Sequence, residues 1–264
     1  MSIELRVFKA DAGVKWLKAG WLIFKSQPVT FIFMYLFIAV VGLLSVLLPV
    51  LQIIASLAMP FLIAGFYQAV ITKQQGGVIS QLDIFKPFSN KGNRMGLVRV
   101  ALYKMAAGLL LAFLSNSLFS DAISVLTQTG FNPQNAEHIE RLVATLSMSH
   151  IALFLVAFSV YLTAFAYAVP LVYFSRQKNI LAVLKTSFVV FYHNIAPLTV
   201  YGIIVVFLML ACVPLSFIPL LVLMPICYIS FFISFQAIFM PIVPAGGHSQ
   251  LSESSSTDTG RFDA

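Results

Sequence analysis

The sequence predicts an all-α integral membrane protein: six transmembrane helices as three hairpins, each preceded by an amphipathic helix at the cytoplasmic interface. Three observations carry this reading. Of 264 residues, 60% are hydrophobic and only 9% charged, against about 25% charged in an ordinary soluble domain. Charge-free runs of 47, 16, 34 and 67 residues follow Lys25, Lys104, Arg141 and Lys185. Fourteen of the 16 basic residues lie in segments of one parity. A water-soluble globular enzyme is excluded at the start.

A helix needs about 20 apolar residues to cross about 30 Å of hydrocarbon. The runs therefore hold two, one, one and two spans, near 28–48, 50–72, 97–119, 149–174, 197–216 and 219–242. The third is short unless it takes in Leu97 to Lys104, with Arg99 and Lys104 snorkelling to headgroups at a membrane edge. Pro49 falls in the turn between spans one and two, and Pro214 and Pro219 bracket the turn between five and six.

Basic residues on one side set the orientation. Arg6, Lys9, Lys15, Lys18 and Lys25 precede span one. Lys73, Lys86, Lys91, Arg94, Arg99 and Lys104 lie between spans two and three or open span three. Arg176, Lys178 and Lys185 lie between spans four and five. The one long loop of the other parity, 120–148, sets Arg141 against Asp121, Glu137 and Glu140. Both termini are expected in the cytoplasm. The net charge of +7 follows from attraction to anionic headgroups, about 1 kcal/mol per basic residue, and calls for no nucleic acid.

Ahead of span one, Asp11 to Ser26 reads as an interfacial helix. Val14, Leu17, Trp21 and Phe24 form its apolar stripe, with Asp11, Lys15, Lys18 and Lys25 on another face. Trp16 and Trp21 suit the headgroup level. Residues 179–194, with Asn179 as N-cap and Ile180, Leu184, Phe188 and Phe191 apolar, repeat the arrangement. Residues 79–88, with Leu82, Phe85, Phe88 and Lys86, give a shorter third case. The predicted membrane-surface contacts are Lys15, Trp16, Lys18, Trp21, Lys25 and Lys185.

These elements suggest parallel internal repeats near 11–72, 79–174 and 179–242. Leu17-Lys18 returns as Leu184-Lys185, Met59-Pro60 as Met224-Pro225 and Gln68-Ala69 as Gln236-Ala237. With two spans per unit the repeats share one orientation, so a pseudo-symmetry axis runs along the membrane normal. In the outer loop, Asn132 as cap, Pro133 at N1 and the face Ile139, Leu142, Val143, Leu146 predict a helix over 133–147. Residues 1–245 form one membrane domain. The Ser/Thr-rich tail 246–264 has too little apolar content to fold and is expected to be a disordered cytoplasmic segment.

Chemistry is sparse. His138, His150, His193 and His248 show no metal-ligand spacing, and Cys212 and Cys227 read as packing residues. No Asp or Glu lies in a predicted span, whereas proton-coupled transporters carry intramembrane ionisable relays. No nucleophile with its base and no phosphate-binding glycine loop is visible. No cofactor and no metal is expected, and an enzyme would need His193 to meet an acid such as Asp83. Gln52, Gln68 and Gln236 are the candidate intramembrane polar positions, with Ser56, Ser115, Asn116 and Thr163. Pro60, Pro170 and Pro225 are expected to kink their helices. Gly65-xxx-Ala69, Gly108-xxx-Ala112 and Ala164-xxx-Ala168 permit close helix approach.

The stretch from Gly13 to Pro28, GVKWLKAGWLIFKSQP, together with Met59-Pro60, Leu82-Asp83-Ile84-Phe85 and Asn194-x-x-Pro197, resembles uncharacterised bacterial inner-membrane proteins of the YciC-like group. The chain is more distantly similar to the membrane domain of some glycerophosphodiester phosphodiesterases. The resemblance covers residues 10–243. It implies a six-span bundle in a bacterial inner membrane and brings no catalytic residue. The expected role is non-enzymatic: a scaffold or lipid-interacting envelope component, whose partners are membrane lipids with anionic headgroups or a second inner-membrane protein. The alternative is a passive or partner-driven facilitator for a neutral or lipid-like molecule, with a path near Gln52, Gln68 and Gln236.

Overall fold

The computed structural model describes residues 6–90, 94–128 and 131–239. Among them 84% are helical and none is in a strand. In chain order the helices are α1 (Ala12–Ser26), α2 (Pro28–Leu47), α3 (Pro49–Gln74), α4 (Lys86–Ser89), α5 (Arg94–Leu118), α6 (Ser120–Leu126), α7 (Ala136–Ala144), α8 (Met148–Ala166), α9 (Ala168–Phe174), α10 (Ile180–His193), α11 (Ile195–Cys212) and α12 (Leu220–Phe239). A 3₁₀ turn, Gln81–Phe85, leads into α4. Six helices are long and apolar enough to cross a membrane: α2, Val50–Gln74, α5, the continuous stretch Met148–Phe174, α11 and α12. The tail 246–264, Arg261 and Lys91 lie outside the described residues.

The core is built at one end of the bundle. Fully buried large side chains among the described residues are Phe31 and Met34 early in α2, Leu62 and Phe66 from the middle of α3 on, Ile84 of the 3₁₀ turn, Leu97 early in α5, Tyr167 and Leu171 near the end of the fourth span, and Ile229, Phe232, Phe235 and Ile238 from the middle of α12 on. They extend from mid-helix to the end where α1 and α10 pack. At the other end the helices separate: no residue of α8 is buried, and Leu109, Leu110 and Phe113 of α5 are largely exposed. An apolar surface of that extent is stable where lipid, not water, surrounds it.

Of the elements ahead of the spans, α1 packs on the last two helices of the chain, whereas the 3₁₀ turn and α10 pack on the hairpins that precede them. Helix α1 lies against α12 and α11, the 3₁₀ turn against α3 and α2, and α10 against α8 and α9. Small residues permit each approach. A Cβ on Gly20 of α1 would collide with the Ser230 hydroxyl of α12, and one on Gly65 of α3 with the carbonyl of Ile84.

This packing corrects two apolar stripes. The buried face of α1 is Ala12, Gly13, Trp16, Gly20 and Phe24; of the predicted stripe Phe24 is buried and Leu17 packs partly on the core, whereas Trp21 is exposed. The buried face of α10 is Ile180, Val183, Ser187 and Val190, while Phe188 is exposed. Helix–helix contact brings Gly13 and Gly20 of α1 and Ser187 of α10 into the buried faces, where apolarity alone does not place them. In the short element Ile84 and Pro87 are buried and Leu82 is 72% exposed. A capping box between Ser80 and Asp83 holds that turn.

Two amide side chains fasten loops to helix junctions. Gln27, between α1 and α2, donates to the Ile79 carbonyl at 2.6 Å and accepts from the Ile79 N–H at 3.2 Å. Asn194, between α10 and α11 and 1% exposed, accepts from the Phe8 N–H at 3.0 Å and donates to the carbonyls of Arg6 and Val190. Asn194→Ala is expected to cost about 1–3 kcal/mol, because it unpartners backbone groups. Hydrogen exchange at Phe8 should accelerate, and an unchanged rate there would sink this assignment.

In the outer loop Asn132 makes a turn instead of a cap, accepting from the Gln134 N–H. The helix starts later, capped by Asn135 on the Glu137 N–H. Pro214 lies in a 3₁₀ turn, Val213–Leu215, so α11 ends at Cys212. Ser216 and Phe217 then take positive φ.

Candidate functional site

Lys104 is the eleventh residue of α5, about 15 Å along it at 1.5 Å per residue. The sequence predicts a side chain reaching headgroups at a membrane edge. In the structure Lys104 is exposed and lines a cavity of about 460 Å³ among α3, α5, α8, α9, α11 and α12. Tyr67, Tyr161, Tyr201 and Tyr228 share that lining. Tyr161 is the fourteenth residue of the apolar stretch Met148–Phe174, and Tyr228 the ninth of α12, so the cavity stands near mid-helix. Gly108, one turn beyond Lys104 on the same face of α5, lies next to the Tyr161 hydroxyl: a Cβ there would stand 3.9 Å from that oxygen. Lys104 has no acidic partner among the described residues; the three ion pairs are Lys15–Asp11, Lys86–Asp83 and Arg141–Glu137. Tyr201 donates to the Cys227 carbonyl at 2.9 Å. The hydroxyls of Tyr67, Tyr161 and Tyr228 make no hydrogen bond with a described residue.

The wall at α8 and α9 owes its shape to a break in the fourth span. Tyr167 separates the two helices with φ −106° and ψ 9°. In an unbroken helix its N–H would donate to the Thr163 carbonyl. The Ser187 hydroxyl of α10 stands between them, accepting from the Tyr167 N–H at 3.0 Å and donating to the Thr163 carbonyl at 2.9 Å. Pro170, the residue expected to kink this span, offers no N–H to the Ala166 carbonyl and its ring crowds that carbonyl. Phe165, Ala166, Val169 and Pro170, on either side of the break, all line the cavity. Tyr167 itself is fully buried, stacked on Phe231 at 4.8 Å, with its hydroxyl 3.0 Å from that of Ser234. Pro60 and Pro225 lie inside continuous helices.

The three glutamines do not converge. Gln52 is exposed, one turn into α3. Gln68 accepts from the Tyr173 hydroxyl at 2.8 Å. Gln236 forms a reciprocal amide pair with Gln74, both bonds 2.8 Å. Of the predicted surface residues, Lys15, Lys18, Trp21, Lys25 and Lys185 are exposed. Trp16 is not. It is 5% exposed and packs edge-on against Phe8, because α1 turns that face into the bundle. Lys15 binds Asp11 at 2.6 Å, and the hydrogen bond from Lys15 holds that carboxyl below its ordinary pKa. Lys25 lies 5.8 Å from the Trp21 ring centroid, in cation–π range.

Asp83 is engaged by Ser80 and Lys86, and His193 by the Val189 carbonyl, so the two do not pair. His138 accepts from the Asn132 N–H. Cys212 and Cys227 are buried free thiols packed with Leu223. No family model, curated protein or solved structure matches the chain.

Proposed function

We propose that this chain is a non-enzymatic protein of a bacterial inner membrane, multi-pass with both termini cytoplasmic, that acts by binding lipid as a scaffold or lipid-interacting component of the envelope. The observation that carries the reading is the exposure of Lys15, Lys18, Lys25 and Lys185, with Trp21, on α1 and α10. These helices pack where the bundle's core is concentrated. Their basic faces suit anionic headgroups, and the resemblance to YciC-like proteins supports the bacterial inner membrane.

The reading includes three repeated units, each an interfacial element followed by a hairpin. Its support is cyclic packing: the first unit's α1 lies on the third unit's α11 and α12, the second unit's turn on the first unit's α2 and α3, and the third unit's α10 on the second unit's α8 and α9. Gly13, Trp16, Gly20 and Gln27 also stand 167 residues before Ile180, Val183, Ser187 and Asn194, and the two sets do parallel work. Phe232 of α12 meets Tyr67 of α3 at 4.5 Å and Phe174 of α9 at 5.2 Å. That aromatic packing between the hairpins, with Gln68 and Gln236 already hydrogen-bonded, weighs against the facilitator path.

Reversing Lys15, Lys18 and Lys185 to Glu should cut the preference for phosphatidylglycerol over phosphatidylcholine at least about tenfold, taking roughly 1 kcal/mol for each basic residue lost. Native mass spectrometry from mixed-lipid nanodiscs reads this directly. An undiminished preference sinks the reading. Gln68→Leu with Gln236→Leu should leave it unchanged.

A further inference from the structure

We infer that the cavity around Lys104 is a binding site for one anionic amphiphile, its acidic head paired with the Lys104 ammonium and its acyl chain leaving along α8. The inference deepens the lipid-binding reading and rests on it, but concerns an intramembrane site separate from the basic faces of α1 and α10. Three observations combine. A lysine without an acidic partner among the described residues lines an open-sided cavity near mid-helix, where an unpaired charge within a membrane costs at least about 2.5–3.5 kcal/mol. The hydroxyls of Tyr67, Tyr161 and Tyr228 line the same space without a hydrogen bond to a described residue. They supply the neutral donors that a carboxylate or phosphate accepts beside a cation. The remaining lining is almost wholly apolar, and about 460 Å³ falls in the range of small-ligand sites.

The shape also selects the ligand. Lys104 and Leu162 are the exposed members of the lining, so the mouth opens on the α5–α8 side. Leu155, seven residues before Leu162 and on the same face of α8, is exposed as well, and an acyl chain leaving the mouth runs along that face. A free inorganic anion would satisfy Lys104 and leave that surface unused. A neutral lipid would leave Lys104 unpaired.

A fatty-acid carboxylate and a phospholipid phosphate present the same chemistry to Lys104, and the experiment separates them. The full-length protein is purified into phosphatidylcholine nanodiscs and given oleate or phosphatidylglycerol. Native mass spectrometry under rising activation identifies by mass which is retained. Wild type should hold one molecule of one acid amphiphile against activation that strips the others. Lys104→Met should lose it at least about tenfold, a charge-assisted contact being the strong one. Lys104→Arg should keep it within a few-fold, and Tyr161→Phe should weaken it a few-fold. Equal retention by Lys104→Met, or no retention by wild type, overturns the site.

A second measurement does not depend on any variant folding. Wild type irradiated with a diazirine-bearing fatty acid or phosphatidylglycerol should be labelled on peptides covering 100–113 or 155–170. Labelling confined elsewhere overturns the site. The Lys15, Lys18 and Lys185 reversals should lower the general anionic preference and spare the single retained molecule. The two readings therefore fail separately.

Discussion

Gly65→Ala should lower the stability of this protein by about 1–3 kcal/mol, the cost of forcing volume into a filled contact, and Gly65→Val should exceed it. A Cβ on Gly65 would stand 2.6 Å from the carbonyl carbon of Ile84 and 2.8 Å from its Cα, closer still to the carbonyl oxygen. All three are backbone atoms, and that backbone is held by the Ser80–Asp83 capping box and by the burial of Ile84 at 1% exposure. The turn cannot recede without giving up both. The same test applied elsewhere gives a ranking. At Gly20 the nearest obstacle is the Ser230 hydroxyl, with the Ile226 carbonyl at 3.1 Å. A hydroxyl can rotate away, so Gly20→Ala should cost less than Gly65→Ala. At Gly202 nothing lies within 4 Å, and Gly202→Ala should be neutral or stabilising by up to about 1 kcal/mol from helix propensity. Unfolding midpoints in one detergent test the order. If Gly65→Ala unfolds with the wild-type midpoint, the approach of the turn to α3 is wrong.

The glycines also mark the limit of what the sequence reveals. Six long apolar helices were legible because length and charge placement decide a span whatever it packs against. Gly65-xxx-Ala69 was legible as a place of close approach, but not its partner. A small residue shows that something comes near, and only the fold shows that it is the carbonyl of Ile84. The stripes of α1 and α10 are legible only in part for the same reason; Phe24 and Ile180 are buried as expected. Ranking positions by apolarity favours Leu17 and Phe188, whereas close packing on a neighbouring helix chooses Gly20 and Ser187 for their size. Trp16 was assigned to a surface because tryptophan is common there, and its burial beside Phe8 depends on residues that precede α1. At Lys104 the sequence shows one charge in a marginal span, which reads as an edge residue. Only the tyrosines brought from four other spans identify it as part of a cavity. The three glutamines err in the opposite direction, since polar groups far apart along the chain found partners other than one another.

Ser187→Ala should destabilise the protein by about 2 kcal/mol, and the loss should depend on Pro170. Ser187 is fully buried, and its hydroxyl serves two backbone groups of another span, the Tyr167 N–H and the Thr163 carbonyl. Alanine leaves the buried N–H without its acceptor, a cost of about 1–3 kcal/mol. The chain has one way to recover: close the helix, so that Tyr167 donates to Thr163 directly. Pro170 opposes closure, because its ring crowds the Ala166 carbonyl. Replacing Pro170 with Ala removes that obstacle, so Ser187→Ala should cost less in the Pro170→Ala background than in wild type. A coupling of at least about 0.5 kcal/mol in the double-mutant cycle is the expected result for groups sharing one network. An additive cycle would show that the hydroxyl and the proline act independently, and a neutral Ser187→Ala would remove the inserted hydroxyl from the account of the break. Closure carries a further consequence. Phe165, Ala166, Val169 and Pro170 line the Lys104 cavity from both sides of Tyr167. Straightening the span would turn Tyr167 off Phe231 and away from Ser234 and redraw that wall. A variant that recovers stability by closing the helix should therefore lose the retained amphiphile, because the break that α10 holds open is also what shapes the site.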